Sequence, residues 1–133
     1  MAQLIIFDCD GTLVDSERLS NEVLVELVAE HGLSLNLHEA LDIFRGRYMA
    51  DCITELEARL GHRLPEDFLP GLRARTAKVF NERLRPIEGA VDLVRAMTGQ
   101  ICVASSGPPE KIKLSLSLIG LLPFFEGRIF SSY

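Results

Sequence analysis

Leu4-Ile5-Ile6-Phe7 opens the chain with four consecutive apolar residues and no polar alternation, the pattern of a strand buried on both faces of a parallel sheet. It is expected to be a central strand. Ile101-Cys102-Val103-Ala104 repeats the pattern, and Ser105-Ser106-Gly107-Pro108-Pro109 then stops the strand and offers helix-starting residues. A third run, Ile129-Phe130-Ser131-Ser132, follows. Between the second and third runs, Ile112, Leu116 and Ile119 recur at helical spacing before Gly120. Strand, helix and strand in that order form a right-handed parallel unit.

From Asp15 to Arg85 the patterning is helical throughout. Leu19, Val23 and Leu27 predict a helix from Ser16 to His31, with Gly32 just past its end. Asn36 caps a helix through Phe44, and Met49 to Leu60 gives another, ended by Gly61. Phe68, Leu72, Val79 and Leu84 mark a fourth, with Pro65 at its first turn and an interruption or bend near Pro70-Gly71. Four helices with short connections suggest a small bundle inserted into the sheet domain. Pro86-Ile87-Glu88-Gly89 marks the return, and Ala90 to Met97 is a helix leading to the second strand. The fold class is therefore α/β, a partial parallel Rossmann-like sheet of about three strands carrying an inserted helical bundle.

Composition narrows the class further. With 133 residues, 47% hydrophobic, the chain is globular and too short for a large multidomain enzyme. Nineteen acidic against fourteen basic residues, net charge -5, argue against a nucleic-acid partner held through phosphates. Met1-Ala2-Gln3 has no cationic leader region and Asp8 stops the first apolar run, so neither a signal peptide nor a membrane partner is expected. Cys9, Cys52 and Cys102 are odd in number and lack zinc-site spacing. They read as reduced thiols of a cytoplasmic protein.

The chemistry concentrates in Asp8-Cys9-Asp10-Gly11-Thr12. Ligands of parallel sheets bind beyond the carboxyl ends of the strands, where two acids spaced by one residue would both lie. Two unneutralised carboxylates that close repel, so they share a proton, diverge, or bind a hard cation such as Mg2+. Gly11 permits a positive φ, which would let the loop amides face an anion.

Asp8-Cys9-Asp10-Gly11-Thr12, followed by Leu13-Val14-Asp15-Ser16-Glu17, resembles motif I of the haloacid dehalogenase-like hydrolases, in their phosphatase and phosphomutase branch. Val103-Ala104-Ser105-Ser106-Gly107 resembles motif II, and the helices between resemble a cap domain inserted after motif I. The resemblance implies a core of residues 1–14 and 86–133 around a four-helix cap of residues 15–85. It implies that Asp8 is the nucleophile forming an aspartyl-phosphate and that Asp10 is general acid, then general base. Asp8 and Asp10 would hold Mg2+, the latter through its backbone carbonyl. Ser105, with Ser106 and Gly107, would bind the phosphoryl oxygens. Arg45, Gly46 and Arg47, joining two cap helices, resemble a specificity loop for a small phosphorylated metabolite, although such arginines are as often dipole partners or surface charge. The overall pattern looks nearest to sugar-phosphate phosphatases of the 6-phosphogluconate type.

Two parts of the family pattern do not occur here: the lysine of motif III and the acidic pair of motif IV. Lys111 and Lys113 belong to the crossover helix and are given no site role. In the family's sheet order the first strand lies between the second and the one bearing motif IV, so this chain would leave Leu4 to Phe7 as an apolar edge. The chain is read as a truncated phosphatase with little turnover of its own, open to pairing with a missing C-terminal half or to self-association through the incomplete sheet. The alternatives are a phosphomutase and a catalytically incompetent binding or regulatory fragment. His31, His38 and His62 are isolated, and Asp15 and Ser16 are expected to cap the first inserted helix.

Overall fold

Parallel pairing needs a long crossover between strands, which the helices between these short apolar runs supply, and the runs pair in parallel here. In this computed structural model, which describes residues 3–133, β1 (Leu4–Phe7), β2 (Gln100–Ser105) and β3 (Ile129–Ser131) form a parallel sheet in the order β1-β2-β3. The reading of Met1-Ala2 lies outside the described residues. The register runs from Leu4↔Gln100 to Phe7↔Val103 and from Val103↔Ile129 to Ser105↔Ser131. Four helices lie between β1 and the return segment: α1 (Glu17–Glu30), α2 (Leu37–Phe44), α3 (Met49–Leu60) and α4 (Phe68–Arg83). Then come α5 (Ala90–Ala96), α6 (Pro109–Leu118) and the single-turn α7 (Leu122–Phe125). No helix among the described residues is long and apolar enough to cross a membrane.

Contacts divide the chain into two compact units, Met1–Ser16 with Phe80–Tyr133, and Glu17–Val79. The helical unit has its own core. Val23, Leu24, Leu27 and Val28 of α1 meet Ala40 and Phe44 of α2, Cys52 and Leu56 of α3, and Phe68 and Leu72 of α4. Asn36 and Glu39 form a reciprocal capping box at α2, satisfying two amides that the helix leaves unpaired. The Arg75 guanidinium of α4 holds both Glu30 oxygens at 2.6 and 2.9 Å. The fourth helix differs from expectation. Pro65 precedes it in a turn closed by the Phe68 amide on the Pro65 carbonyl, and Pro70 causes no break. Pro70 is the third residue of α4, where an amide has no partner within the helix and its loss costs nothing.

The apolar run of the first strand suggests a central position, whereas the family's sheet order leaves it an edge in this chain, and the edge is what is observed. Among the described residues β1 is an edge, not a central strand, because only β2 pairs with it. One sheet face is covered: Phe7, Ile101 and Val103 are buried, as is Phe125, whose ring stands edge-on to that of Phe7 at 6.1 Å. The other face carries Leu4 at 56% exposure, Ile6 at 61% and Phe130 at 59%. Residues paired in register share a face, so these side chains make a continuous apolar strip. Parallel sheets are normally covered on both sides. Replacing Ile6 and Phe130 by Lys is therefore expected to lower self-association of the 133-residue chain in sedimentation velocity. A wild-type chain that sediments as a monomer at every concentration would contradict this.

Candidate active site

The carboxyl end of β1 is where the backbone leaves the sheet, and a network of main-chain bonds shapes that exit. The Cys9 carbonyl accepts from the amides of Thr12, Leu13 and Val14 at 3.2, 2.9 and 3.2 Å, and the Gly11 amide donates to the Val14 carbonyl at 2.9 Å. Gly11 takes φ 74°, a left-handed turn that other residues adopt at a cost. The Asp15 amide donates to the Arg85 carbonyl and the Ile87 amide to the Leu13 carbonyl, each at 2.9 Å, so outgoing and returning strands clasp beside the loop.

Within this loop Cys9 is buried between an exposed Asp8 and a half-buried Asp10. The Cys9 amide donates to Asp8 Oδ1 at 2.8 Å, which fixes one Asp8 oxygen. Asp10 Oδ1 accepts from the Ser16 hydroxyl at 2.7 Å and lies 3.8 Å from Lys111 Nζ. Ser16, expected to cap the first helix, is buried, and its hydroxyl proton is given to Asp10. Burial, reinforced by the charges of Asp10 and Asp8, pushes the Cys9 thiol from 9.0 up to about 12. The thiolate is the reactive form, so alkylation of the folded chain near pH 8 is expected to spare Cys9 until denaturant is added. Modification of Cys9 at the rate of a free thiol, read by peptide mass spectrometry, would contradict that.

The loop after β2 converges on the same place. Ser105 is buried at the end of the strand, and its Oγ accepts the Gly107 amide at 3.1 Å. This bond uses a lone pair and leaves the hydroxyl proton available to an incoming anion. It also engages one of the amides expected to face a phosphate. A side chain at residue 107 would place its first carbon 3.5 Å from Ser105 Oγ and 3.7 Å from Asp10 Oδ2, in ordinary contact with both, so residue 107 lies between the two groups. From β3, Ser131 Oγ donates to the Gly107 carbonyl at 2.6 Å and accepts the Tyr133 amide at 3.2 Å. Asp10, Ser105 and Gly107 are thus gathered at the carboxyl end of the sheet, with Asp8 directly after β1 and Ser106 exposed. Arg45, Gly46 and Arg47 belong to the helical unit and are exposed. Arg45 Nε pairs with Glu17 at 3.4 Å, and Arg47 Nη1 donates to the Ile43 carbonyl at 3.3 Å.

Two residues here carry no site role in the sequence: Ser131, seen only as part of the third strand, and Lys111, assigned to the crossover helix alone, whose Nζ nevertheless lies 3.8 Å from Asp10 Oδ1. Ser131 lies 24 positions from Gly107, and only the β2–β3 register brings them together. Lys111 had one signal, since a cation in the first turn of a helix opposes the dipole by about 0.3–1 kcal/mol and calls for a compensating partner.

The model of the haloacid dehalogenase-like hydrolase family matches residues 2–133. The chain belongs to that family. It is 34% identical over 132 residues to the 6-phosphogluconate phosphatase of Escherichia coli (strain K12), a match covering 98% of this chain and 60% of that protein. A conserved haloacid dehalogenase-like protein of Agrobacterium tumefaciens str. C58 superposes with a TM-score of 0.80 at 27% identity, over 98% of this chain and 59% of the other. A haloacid dehalogenase-family hydrolase of Deinococcus radiodurans R1, solved with phosphate and sodium bound, gives 0.71 at 28% identity, over 98% and 58%. This family member therefore spans about 60% of the length of the phosphatase it matches.

Proposed function

We propose that this chain is the nucleophile-bearing part of a Mg2+-dependent phosphatase acting on a small phosphorylated metabolite, a sugar phosphate of the phosphogluconate kind. The observation that carries the reading is the convergence of the Asp10 carboxylate and the Ser105 hydroxyl on Gly107, at the strand ends beside Asp8. Similarity to a 6-phosphogluconate phosphatase supports the substrate class.

The donors fit the metal. Mg2+ is held by one or two carboxylates together with waters and substrate phosphates, and Asp8 and Asp10 are hard oxygen donors; no cluster of three His, Cys, Asp or Glu occurs among the described residues. Bound there by the Asp8 carboxylate and the Asp10 backbone carbonyl, the ion would neutralise charge on the phosphoryl oxygens. A carboxylate oxygen of Asp8 attacks phosphorus, the ester P–O bond breaks, and Asp10 delivers a proton to the leaving alkoxide. Water then attacks phosphorus, Asp10 takes its proton, and cleavage of the acyl-phosphate P–O bond restores Asp8. The Ser105 hydroxyl donates to a phosphoryl oxygen and holds the group in line.

Arg45 and Arg47 are the proposed substrate contacts of the helical unit. The Arg45–Glu17 pair is exposed and worth little, so a substrate carboxylate can replace Glu17 at small cost. The three cysteines are free and buried, which supports a reducing compartment such as the cytoplasm. The remaining length seen in the relative is proposed to pair beside β1 and cover the exposed sheet face, and the 133-residue chain alone is proposed to turn over little or not at all.

The test is phosphate release from 6-phosphogluconate and a panel of sugar phosphates by the protein at the length its gene encodes. Release that disappears with EDTA and returns with Mg2+ is expected. Indifference to EDTA, or inertness toward every phosphomonoester, would overturn the reading.

A further inference from the structure

We propose that Lys111 is a positioning residue for Asp10. The inference rests on the assignment of Asp10 as the proton-transfer group, and it concerns how that carboxylate is held. Lys111 is the third residue of α6, which begins immediately after the Ser105-Ser106-Gly107 loop, so it faces the site from the second strand's side of the sheet. Its ammonium lies 3.8 Å from Asp10 Oδ1 and over the face of the Phe80 ring, 5.7 Å from the centroid. Phe80 is almost completely buried and therefore fixed, and a cation seated over an aromatic face is held in place without a counter-carboxylate. The ammonium is thus a fixed charge against which Asp10 aligns.

Asp10 Oδ1 carries both of these polar contacts, the Ser16 hydroxyl at 2.7 Å and the Lys111 ammonium, whereas Oδ2 is turned toward Gly107. One oxygen is tethered and the other is presented to the place where Ser105 would hold a phosphoryl group. A single hydroxyl tether leaves the carboxylate free to swing about its Cα–Cβ bond; a second tether on the same oxygen selects one rotamer. Orientation of a proton-transfer group matters because small misplacement of a reacting atom is costly in rate. The placement also accounts for a lysine in the first turn of α6, where the helix dipole disfavours it.

Two measurements decide the matter, one of which needs no turnover. In the 133-residue chain, three-bond couplings to the Asp10 carboxyl carbon report its χ1 rotamer. A single rotamer is expected in the wild type and in Lys111→Arg, with averaged couplings in Lys111→Met. A single Asp10 rotamer in Lys111→Met would overturn the inference. In the protein at its gene-encoded length, Lys111→Met is expected to lower kcat about tenfold or more with KM unchanged within about twofold. Lys111→Arg should recover most of kcat, and Lys113→Met, an exposed control on the same helix, should match wild type. Melting temperatures should agree across the set. A Lys111→Met loss confined to KM, or a kcat equal to wild type while Asp10→Asn is inactive, would overturn the role of Lys111 and leave that of Asp10 standing. An active Asp10→Asn would instead sink the parent assignment, and the couplings would still decide whether Lys111 orients the carboxylate.

Discussion

Asp8→Asn is expected to remove turnover while leaving the fold intact. The amide keeps the shape of the carboxylate, and its oxygen can still accept the Cys9 amide that now binds Asp8 Oδ1 at 2.8 Å. Asp8 is exposed, so the change should alter stability by no more than about 0.5 kcal/mol. An amide cannot attack phosphorus as a carboxylate does, and deleting the nucleophile of a covalent mechanism costs on the order of 10³-fold or more in kcat. Asp8→Glu keeps the charge but moves it by one methylene, which should cost about a hundredfold through misplacement alone. Steady-state kinetics beside circular-dichroism melting check both. Activity within an order of magnitude of wild type in Asp8→Asn would show that another group attacks.

Phe125→Ala is expected to be the most damaging substitution for stability. Phe125 ends the single-turn α7, is fully buried, and stands edge-on to Phe7 at 6.1 Å with the rings 77° apart. Truncating a buried Phe costs about 3–5 kcal/mol because transfer and cavity terms add. That is a large share of the roughly 5–15 kcal/mol available to a domain, and this sheet has one apolar face uncovered. Phe124, one residue earlier and exposed, is the control, and Phe124→Ala should be nearly neutral. Urea unfolding gives both values. A Phe125→Ala loss below about 1 kcal/mol would mean that the covered face tolerates a cavity there.

How much of this was legible in the sequence depends on how far each signal reaches. Local signals carried well: Asn36 starts α2, Gly61 ends α3, and three apolar runs become three parallel strands. The helix around Pro70 was misread because a proline breaks a helix only beyond its first turn, and the sequence left the start of α4 open between Pro65 and Phe68. α7 has four residues, too few for a periodic pattern to develop. The edge position of β1 was not legible in Leu4 to Phe7 themselves, since the same apolar run serves a central strand or an uncovered one and only the pairing decides. At the site, Asp8, Asp10, Ser105 and Gly107 stood out because each adjoins a strand end. Ser16, Lys111 and Ser131 did not, because each acts through a partner that only the folded backbone brings near: Asp10 for the first two and Gly107 for the third.

The central claim is that Asp8 takes the phosphoryl group. An acyl-phosphate is reduced by borohydride where a free carboxylate is not, so quenching the working enzyme with that reagent converts the phosphorylated aspartate to homoserine, which peptide mass spectrometry locates. The account predicts substrate-dependent conversion at Asp8, with Asp10 unchanged. Steady turnover with no conversion at Asp8, or conversion at another carboxylate, would contradict it.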